Sequence, residues 1–317
     1  MDIQSIEKAE LHCHIDGIAS PSHVEVLQNR GHFDGLDLDG LRKRLPVNSL
    51  DEWLEYSACL HPYQQNNGEL LLEVLKLYLH DLVSQNVKLS EIMLSSFLFQ
   101  YEDIERTFVQ FQKFNAAAKS MSDIEVGFLV AIGRSKNRER VEGQIERICR
   151  LFDEGLVHGF ALAGDENACT VREHADLFQI LSDKGIPVEI HAGEWCGPES
   201  VWDAIEYGHP RRIGHGLSIF EDQSLLDQVL KQNIHIEFSP TSNAKLTDHR
   251  DIPKHPIIQA RECEMNYSIN TDDPGPFECS MHSECQMLAD KLGFTAAELN
   301  RVYANSVDAS FVSERQM

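Results

Sequence analysis

The sequence predicts an α/β protein that folds as a single (β/α)8 TIM barrel, and two observations lead to this prediction. Eight short apolar runs of strand length recur along the chain, at residues 8–16, 90–99, 126–134, 158–165, 187–194, 212–216, 234–239 and 267–272. Amphipathic segments of helical period separate most of them, at residues 103–121, 138–153, 171–184, 199–207 and 221–232. Because regular alternation of strand and helix implies a parallel sheet, eight repeats favour a closed barrel over an open, doubly wound sheet.

The connection after the first predicted strand departs from this repeat, since it spans residues 17–89. Ser20 followed by Pro21 predicts a helix start, with Ser20 as the N-cap and Pro21 in the first turn, and further helical stretches follow. The insertion follows the carboxyl end of the first strand, and the carboxyl ends of the strands form the catalytic face of a barrel. We therefore expect the insertion to fold over the site as a lid. A solvent-facing elaboration is the alternative. We therefore expect one domain over residues 1–317 that carries this helical insertion.

Composition and charge limit the kind of partner. The 317 residues are 42% hydrophobic and 25% charged, which is typical of a globular chain with a sizeable core. The formal net charge of −23 disfavours nucleic acid and anionic membrane surfaces, so we expect a small-molecule substrate. No secretory signal or long apolar run stands in the sequence, and we expect a cytoplasmic protein whose oligomeric state stays open. The eight cysteines form no Cys-x-x-Cys pair, so any metal would need His and Asp ligands.

Histidines and carboxylates follow the predicted strands at their carboxyl ends. His12 and His14 are two residues apart on the first strand, so both side chains point to one side, where they suit a pair of zinc ligands. Later strands end close to further side chains of this kind, namely His191, Glu194, His215, Asp272 and Asp273. These strand ends converge on one mouth in a barrel, and buried charges need partners or a metal. Their joint placement indicates a site.

Six segments carry a more specific pattern, namely KAELHCHIDG at 8–17, LAGDE at 162–166, HAGE at 191–194, RIGHG at 212–216, SPTSN at 239–243 and NTDDP at 270–274. In order and spacing they resemble the adenosine deaminase family of the amidohydrolase superfamily, which includes adenosine, adenine and aminofutalosine deaminases. The resemblance extends over almost the whole chain. It implies one zinc ion per chain, without an organic cofactor, and a set of four zinc ligands, His12, His14, His191 and Asp272.

The resemblance also implies catalytic roles. Glu194 would donate a proton to purine N1, His215 would orient and deprotonate the attacking water, and Asp273 would bind N7 and the attacking hydroxyl. Zinc lowers the pKa of a bound water to about 7, which supplies hydroxide at neutral pH. Addition at the carbon that bears the amine pushes electron density onto N1, so a protonated carboxyl group there stabilises the developing charge. Ammonia then leaves and a 6-oxopurine remains.

Substrate contacts are implied for His14, Asp16 and Gly164 as well as for Asp273. The Gly164 N–H would meet purine N3 and Asp16 would bind ribose hydroxyls. Family members that act on free adenine tend to carry Glu at the position of Asp16 and to lack the Ala-Gly-Asp-Glu run. The nucleoside pattern here leads us to predict adenosine and 2′-deoxyadenosine as substrates.

A helix face inside the insertion carries Leu50, Trp53 and Leu54, which by resemblance cover the ribose side of the pocket. Trp53 is bulkier than is usual at its position and Ser57 is smaller, so that side could be shaped for another substrate. Adenine, aminodeoxyfutalosine and a modified adenosine share the whole catalytic set and stay as alternatives.

Other functions fit less well. AMP is disfavoured because residues 16–20 offer no Arg or Lys for a phosphate. A binuclear amidohydrolase usually has a bridging Lys on the fourth strand, and residues 158–165 contain none. A non-catalytic relative is disfavoured because every implied zinc ligand and catalytic residue is present.

Overall fold

The structure is a computed structural model that describes residues 1–99 and 103–315. Eight parallel strands form one sheet, β1 Lys8–His14, β2 Val87–Ser95, β3 Glu125–Gly133, β4 Gly159–Ala163, β5 Val188–Ala192, β6 Arg212–His215, β7 His235–Phe238 and β8 Tyr267–Ile269. Each strand pairs with the next in chain order, and a parallel bridge from Cys13 to Asp272 returns the last strand to the first. The predicted (β/α)8 barrel is confirmed.

The strands are shorter at their carboxyl ends than the sequence predicted. The apolar runs at 158–165, 187–194 and 267–272 continue past the ends of β4, β5 and β8. Gly164 and Gly193, directly after β4 and β5, adopt φ angles of +85° and +72°, a left-handed conformation that ends an extended strand. The predicted strand at 90–99 is displaced as a whole towards the N-terminus, because β2 begins at Val87 and Ser96–Phe99 forms a 3-10 turn. The carboxylates of the site therefore lie after the strands, whereas its four histidines lie on strands.

Helices cover the barrel and fill the connection between β1 and β2. They are α1 Pro21–Gln28, α2 Leu38–Arg42, α3 Leu50–Gln64, α4 Gly68–Ser84, α5 Ile104–Lys119, α6 Arg138–Asp153, α7 Ala175–Asp183, α8 Pro198–Gly208, α9 Gln223–Gln232, α10 Pro240–Leu246, α11 Ile257–Glu262, α12 Pro274–Phe277, α13 Met281–Leu292, α14 Ala296–Ala309 and α15 Phe311–Arg315. Across the described ranges, no helix combines the length and apolarity needed to cross a bilayer.

Within the connection from β1 to β2, α1 begins as predicted. The Ser20 hydroxyl accepts a hydrogen bond from the His23 backbone N–H at 3.3 Å, and Pro21 occupies the first turn. The last helix of the connection, α4, packs against β2 and α5 with a largely buried surface. It therefore belongs to the layer of helices around the strands, and the predicted lid narrows to the residues before α4. That lid role stays a prediction.

The barrel interior combines a charged layer with an apolar plug. The fully buried Arg212 forms ion pairs with Glu91 (Nη1 to Oε2, 2.7 Å) and Glu237 (Nε to Oε1, 2.6 Å). Its guanidinium group lies 3.7 Å from the ring centroid of Phe311, which packs inside the barrel among Met93, Leu129, Ala131 and Ala161. Glu91 also accepts hydrogen bonds from Ser310 and from the Phe311 N–H. The C-terminal helix is thereby tied to the charged layer beneath the site.

Candidate active site

The four predicted metal ligands lie together at the carboxyl end of the barrel. His12 Nε2 and His14 Nε2 lie 3.5 and 3.3 Å from Asp272 Oδ1. The ring centroid of His191 is 4.5 Å from that of His12 and 5.2 Å from that of His14. The fold thus gathers residues from both ends of the sequence, because β1, β5 and the turn after β8 meet at one mouth.

The nitrogens that face this space fit a metal ion. His12 Nε2 and His191 Nε2 are buried and have no hydrogen-bond partner among the described residues. His12 lies with Nδ1 2.8 Å from the Glu237 carboxylate, so that a neutral ring that donates from Nδ1 would present the lone pair of Nε2 to a metal. Burial and the neighbouring imidazoles, His12 first among them, hold the pKa of His191 well below its ordinary value, so its ring is neutral. Imidazole and carboxylate donors in this arrangement suit a divalent ion of the zinc type.

Asp272 is held by contacts that leave one carboxylate oxygen for the histidines. Its Oδ2 accepts a hydrogen bond from the Ser242 hydroxyl at 2.7 Å, while Oδ1 faces His12 and His14. Its backbone N–H donates to the His12 carbonyl oxygen at 3.1 Å, and its carbonyl oxygen accepts from the His14 N–H at 2.9 Å. His215 and Asp272 share a left-handed φ, of +64° and +63°, which is uncommon outside glycine and concentrates at functional sites. Ser242 lies in the SPTSN segment, but sequence reasoning gave it no role.

Glu194 projects into the same mouth beside His215. Its Oε2 lies 3.5 Å from His215 Nε2, and its side chain is only 8% exposed. Burial, followed by the negative charges of Asp272 and Glu166, raises the pKa of Glu194 well above its ordinary value. A carboxyl group that keeps its proton in this way can act as a general acid.

Glu166 fixes the turn that carries Glu194. Its carboxylate accepts hydrogen bonds from the backbone N–H groups of Gly193, Glu194 and Trp195, each at 2.8 Å. The Ser200 hydroxyl donates a further hydrogen bond to the same carboxylate. Glu166 ends the LAGDE segment, and its role here was not foreseen, because it depends on β4 and β5 presenting their turns to each other.

Asp273 meets the insertion through Trp53. The indole N–H of Trp53, on α3, donates to Asp273 Oδ2 at 3.0 Å, and Oδ1 is buried without a partner among the described residues. A Cβ atom at Gly17 would lie 1.8 Å from Asp273 Oδ1, so only glycine lets this carboxylate approach the turn after β1 so closely. Leu50 and Leu54, the other predicted lid residues, are 41% and 52% exposed. Trp53 thus links the insertion to the catalytic set through a hydrogen bond.

The remaining predicted substrate contacts stand at the same end of the barrel. Asp16 is partly buried just after β1, and its Oδ1 accepts a hydrogen bond from the Ser95 hydroxyl at 2.7 Å. Gly164 follows β4, where its φ of +85° by itself favours glycine. Arg134 packs beside this turn and donates to the His191 carbonyl oxygen at 2.8 Å. Contacts of Asp16 and Gly164 with a substrate stay predictions.

Comparison with known proteins agrees with this site. The family model described as adenosine deaminase matches residues 7–317. A protein of Agrobacterium fabrum named adenine deaminase is 33% identical, over 97% of this chain and 94% of its own.

Two solved structures share the fold. The crystal structure of adenine deaminase from Arthrobacter aurescens has a TM-score of 0.83 at 22% identity, and covers 98% of this chain and 96% of that one. An amidohydrolase from Burkholderia ambifaria with bound Zn also has a TM-score of 0.83, at 20% identity, and covers 99% of this chain and 88% of that one. With the family match, this confirms the resemblance of the six segments. The chain belongs to the adenosine deaminase family and is a hydrolase that acts on the C–N bonds of cyclic amidines.

Proposed function

We propose that this protein is a zinc-dependent deaminase of 6-aminopurines whose substrate is the free base adenine, with hypoxanthine and ammonia as products. The observation that carries the reaction type is the buried Glu194 carboxyl group, which lies beside His215 and Asp272, next to histidine nitrogens that have no hydrogen-bond partner among the described residues. The relative from Agrobacterium fabrum, named adenine deaminase, supports the substrate. Adenosine, predicted from the segments, becomes the second candidate.

The residues divide the reaction between them. His12, His14, His191 and Asp272 would hold one zinc ion, which would supply a water of lowered pKa as the nucleophile. Glu194, protonated because it is buried, delivers its proton to N1 as electron density moves there. Asp273 would stand at the N7 edge of the purine beside the attacking water, and the Gly164 N–H would hold N3. No step needs an organic cofactor.

The insertion supports adenine over adenosine. Trp53 reaches from α3 to the Asp273 carboxylate, so a large, rigid indole stands on the side of the mouth where we predicted the ribose. Asp16, the predicted ribose partner, already uses Oδ1 to accept a hydrogen bond from Ser95. A free base needs neither the space nor the carboxylate. The observation that favours adenosine is the pattern of Asp16 with the Ala-Gly-Asp-Glu run.

A substrate panel tests the proposal. Zinc-loaded protein is offered adenine, adenosine, 2′-deoxyadenosine, AMP and an aminodeoxyfutalosine separately, and the loss of purine absorbance and the release of ammonia are followed. We expect adenine to have the highest kcat/KM, and metal-stripped protein to be inactive until zinc returns. Faster turnover of adenosine would restore the original substrate prediction. Inactivity on every compound with zinc bound would remove the proposed function.

A further inference from the structure

A chain of buried hydrogen bonds runs from His215 away from the candidate site. The Asn243 amide lies 3.0 Å from His215 Nδ1 through its Nδ2 atom, and 3.2 Å from His255 Nε2 through its Oδ1 atom. The backbone N–H of Ile257, in the first turn of α11, donates to His255 Nδ1 at 3.1 Å. His215, Asn243 and His255 are at most 1% exposed. None of the residues behind His215 has a role in the proposed function.

The backbone N–H at the far end fixes the direction of every bond in the chain. Because the Ile257 N–H can only donate, His255 Nδ1 accepts, and the proton of the neutral ring is on Nε2. Burial lowers the pKa of His255 to about 3, in agreement with a neutral ring. His255 therefore donates to the Asn243 oxygen, and the Asn243 NH2 group donates to His215 Nδ1. A reversed amide would force His255 to accept at both nitrogens, which a neutral imidazole cannot do.

We propose that Asn243 and His255 are positioning residues that hold His215 with its proton on Nε2, so that His215 donates a hydrogen bond at the reaction centre and does not deprotonate the attacking water. This differs from the role that the family resemblance implies. The proposed role also means that His215 is not a metal ligand, although its ring lies near those of His12 and His191. A metal-bound histidine donates its other N–H to an acceptor, as His12 does to Glu237, whereas His215 Nδ1 receives one.

This inference rests on the proposed deamination. Every proton of that reaction can be accounted for without His215 as a base. The attacking water gives one proton to the Asp273 carboxylate, whose Oδ1 has no partner among the described residues, and its oxygen bonds to the carbon that bears the amine. Glu194 protonates N1 in the same addition. Asp273 then passes its proton to the amine, which leaves as ammonia, and the new hydroxyl returns a proton to Glu194 as the carbonyl forms.

Nitrogen NMR of isotopically labelled histidine tests the tautomer without substrate, so the result does not depend on the proposed function. The His215 ring is identified by the signals that disappear in His215→Gln, and long-range proton–nitrogen correlations show which nitrogen carries the proton. We expect Nε2–H and a bare Nδ1 in the wild type. Asn243→Asp, which has nearly the same shape but can only accept, should move the proton to Nδ1. Nδ1–H in the wild-type protein would overturn the proposal.

Two substitutions of His215 test the donor role in turnover. His215→Gln keeps an N–H donor but cannot act as a base, whereas His215→Ala keeps neither function. We expect kcat of His215→Gln to exceed that of His215→Ala by roughly 10-fold, the scale of one hydrogen bond at a developing charge. Equal losses in two folded, zinc-loaded variants would overturn the donor role. If the wild type has no deaminase activity, the proposed function fails and the NMR result alone decides the tautomer.

Discussion

His12 and His215 are both buried, and their ring centroids are 4.9 Å apart, yet the networks behind them run in opposite directions. Behind His12 stands a carboxylate, Glu237, which accepts from Nδ1 and is paired with Arg212. Behind His215 stands an amide, Asn243, which donates to Nδ1. The first arrangement leaves a lone pair on the nitrogen that faces the site, and the second leaves a proton there. Under the proposed roles, the partner behind the ring decides whether a histidine can bind a metal or donate to an oxygen.

The largest effect is expected from removing a metal ligand that lies beside His12. Asp272→Ala deletes the carboxylate that His12 and His14 share, so we expect metal content to fall and activity to be abolished. Elemental analysis of the purified protein, together with the deaminase assay, measures both. Ser242→Ala is the matched control, since it removes only the hydrogen bond to Asp272 and should keep the metal. Full activity in Asp272→Ala would remove the metal assignment.

The next largest effect is expected from changing the proton donor Glu194, which does not alter the hydrogen bonds behind His12 or His215. Glu194→Gln should keep zinc bound but lower kcat by at least about 10²-fold, which is the usual scale for the loss of a general acid. Steady-state kinetics with measured zinc content is the test. Unaltered turnover would place the N1 proton donor elsewhere in the mouth.

The partner of His12 offers a smaller, more specific change. Glu237→Gln keeps the side-chain shape and leaves Arg212 paired with Glu91, but it weakens the acceptor for the His12 N–H. We expect zinc affinity, measured by competition with a chelator, to fall about 10- to 100-fold. Asn243→Asp, the equivalent change behind His215, should leave zinc affinity unchanged. The same loss in both variants would mean that the two networks do not differ in function.

The smallest expected effect concerns substrate choice at the insertion. Trp53→Ala removes the indole from the side of the mouth that a ribose would occupy. The kcat/KM ratio of adenosine to adenine should rise by roughly 10-fold, a typical consequence of reshaping an apolar pocket. Trp53→Phe, which keeps an aromatic ring at this position but loses the N–H donor, is the control and should stay closer to the wild-type ratio than Trp53→Ala. An unchanged ratio in Trp53→Ala would mean that Trp53 does not select the substrate.

The sequence predicted those parts of the structure that depend on periodicity. Strand alternation is local, so it placed His12 and His14 on one side of β1, and the order of strands and helices was sufficient for the barrel. The ends of β4 and β5 were placed too late, because the pattern does not show the left-handed turns at Gly164 and Gly193.

Contacts between distant segments could not be predicted in the same way. Trp53 meets Asp273, and Asn243 links His215 to His255, only because the barrel brings α3, α10 and their neighbours to one mouth. Glu237 and Arg212 stand on neighbouring strands, but nothing in their spacing shows that they support His12. The six segments were sufficient to predict the residues of the site, whereas the partners that support those residues could be found only from the structure.

A competition between two substrates tests the central claim most directly. Zinc-loaded protein is given adenine and adenosine together at equal concentration, and hypoxanthine and inosine are separated and quantified during the first part of the reaction. The product ratio then equals the ratio of the two kcat/KM values. The proposed function predicts that hypoxanthine forms first and in large excess. Inosine as the main product would contradict adenine as the substrate, and the absence of both products with zinc bound would contradict the proposed function as a whole.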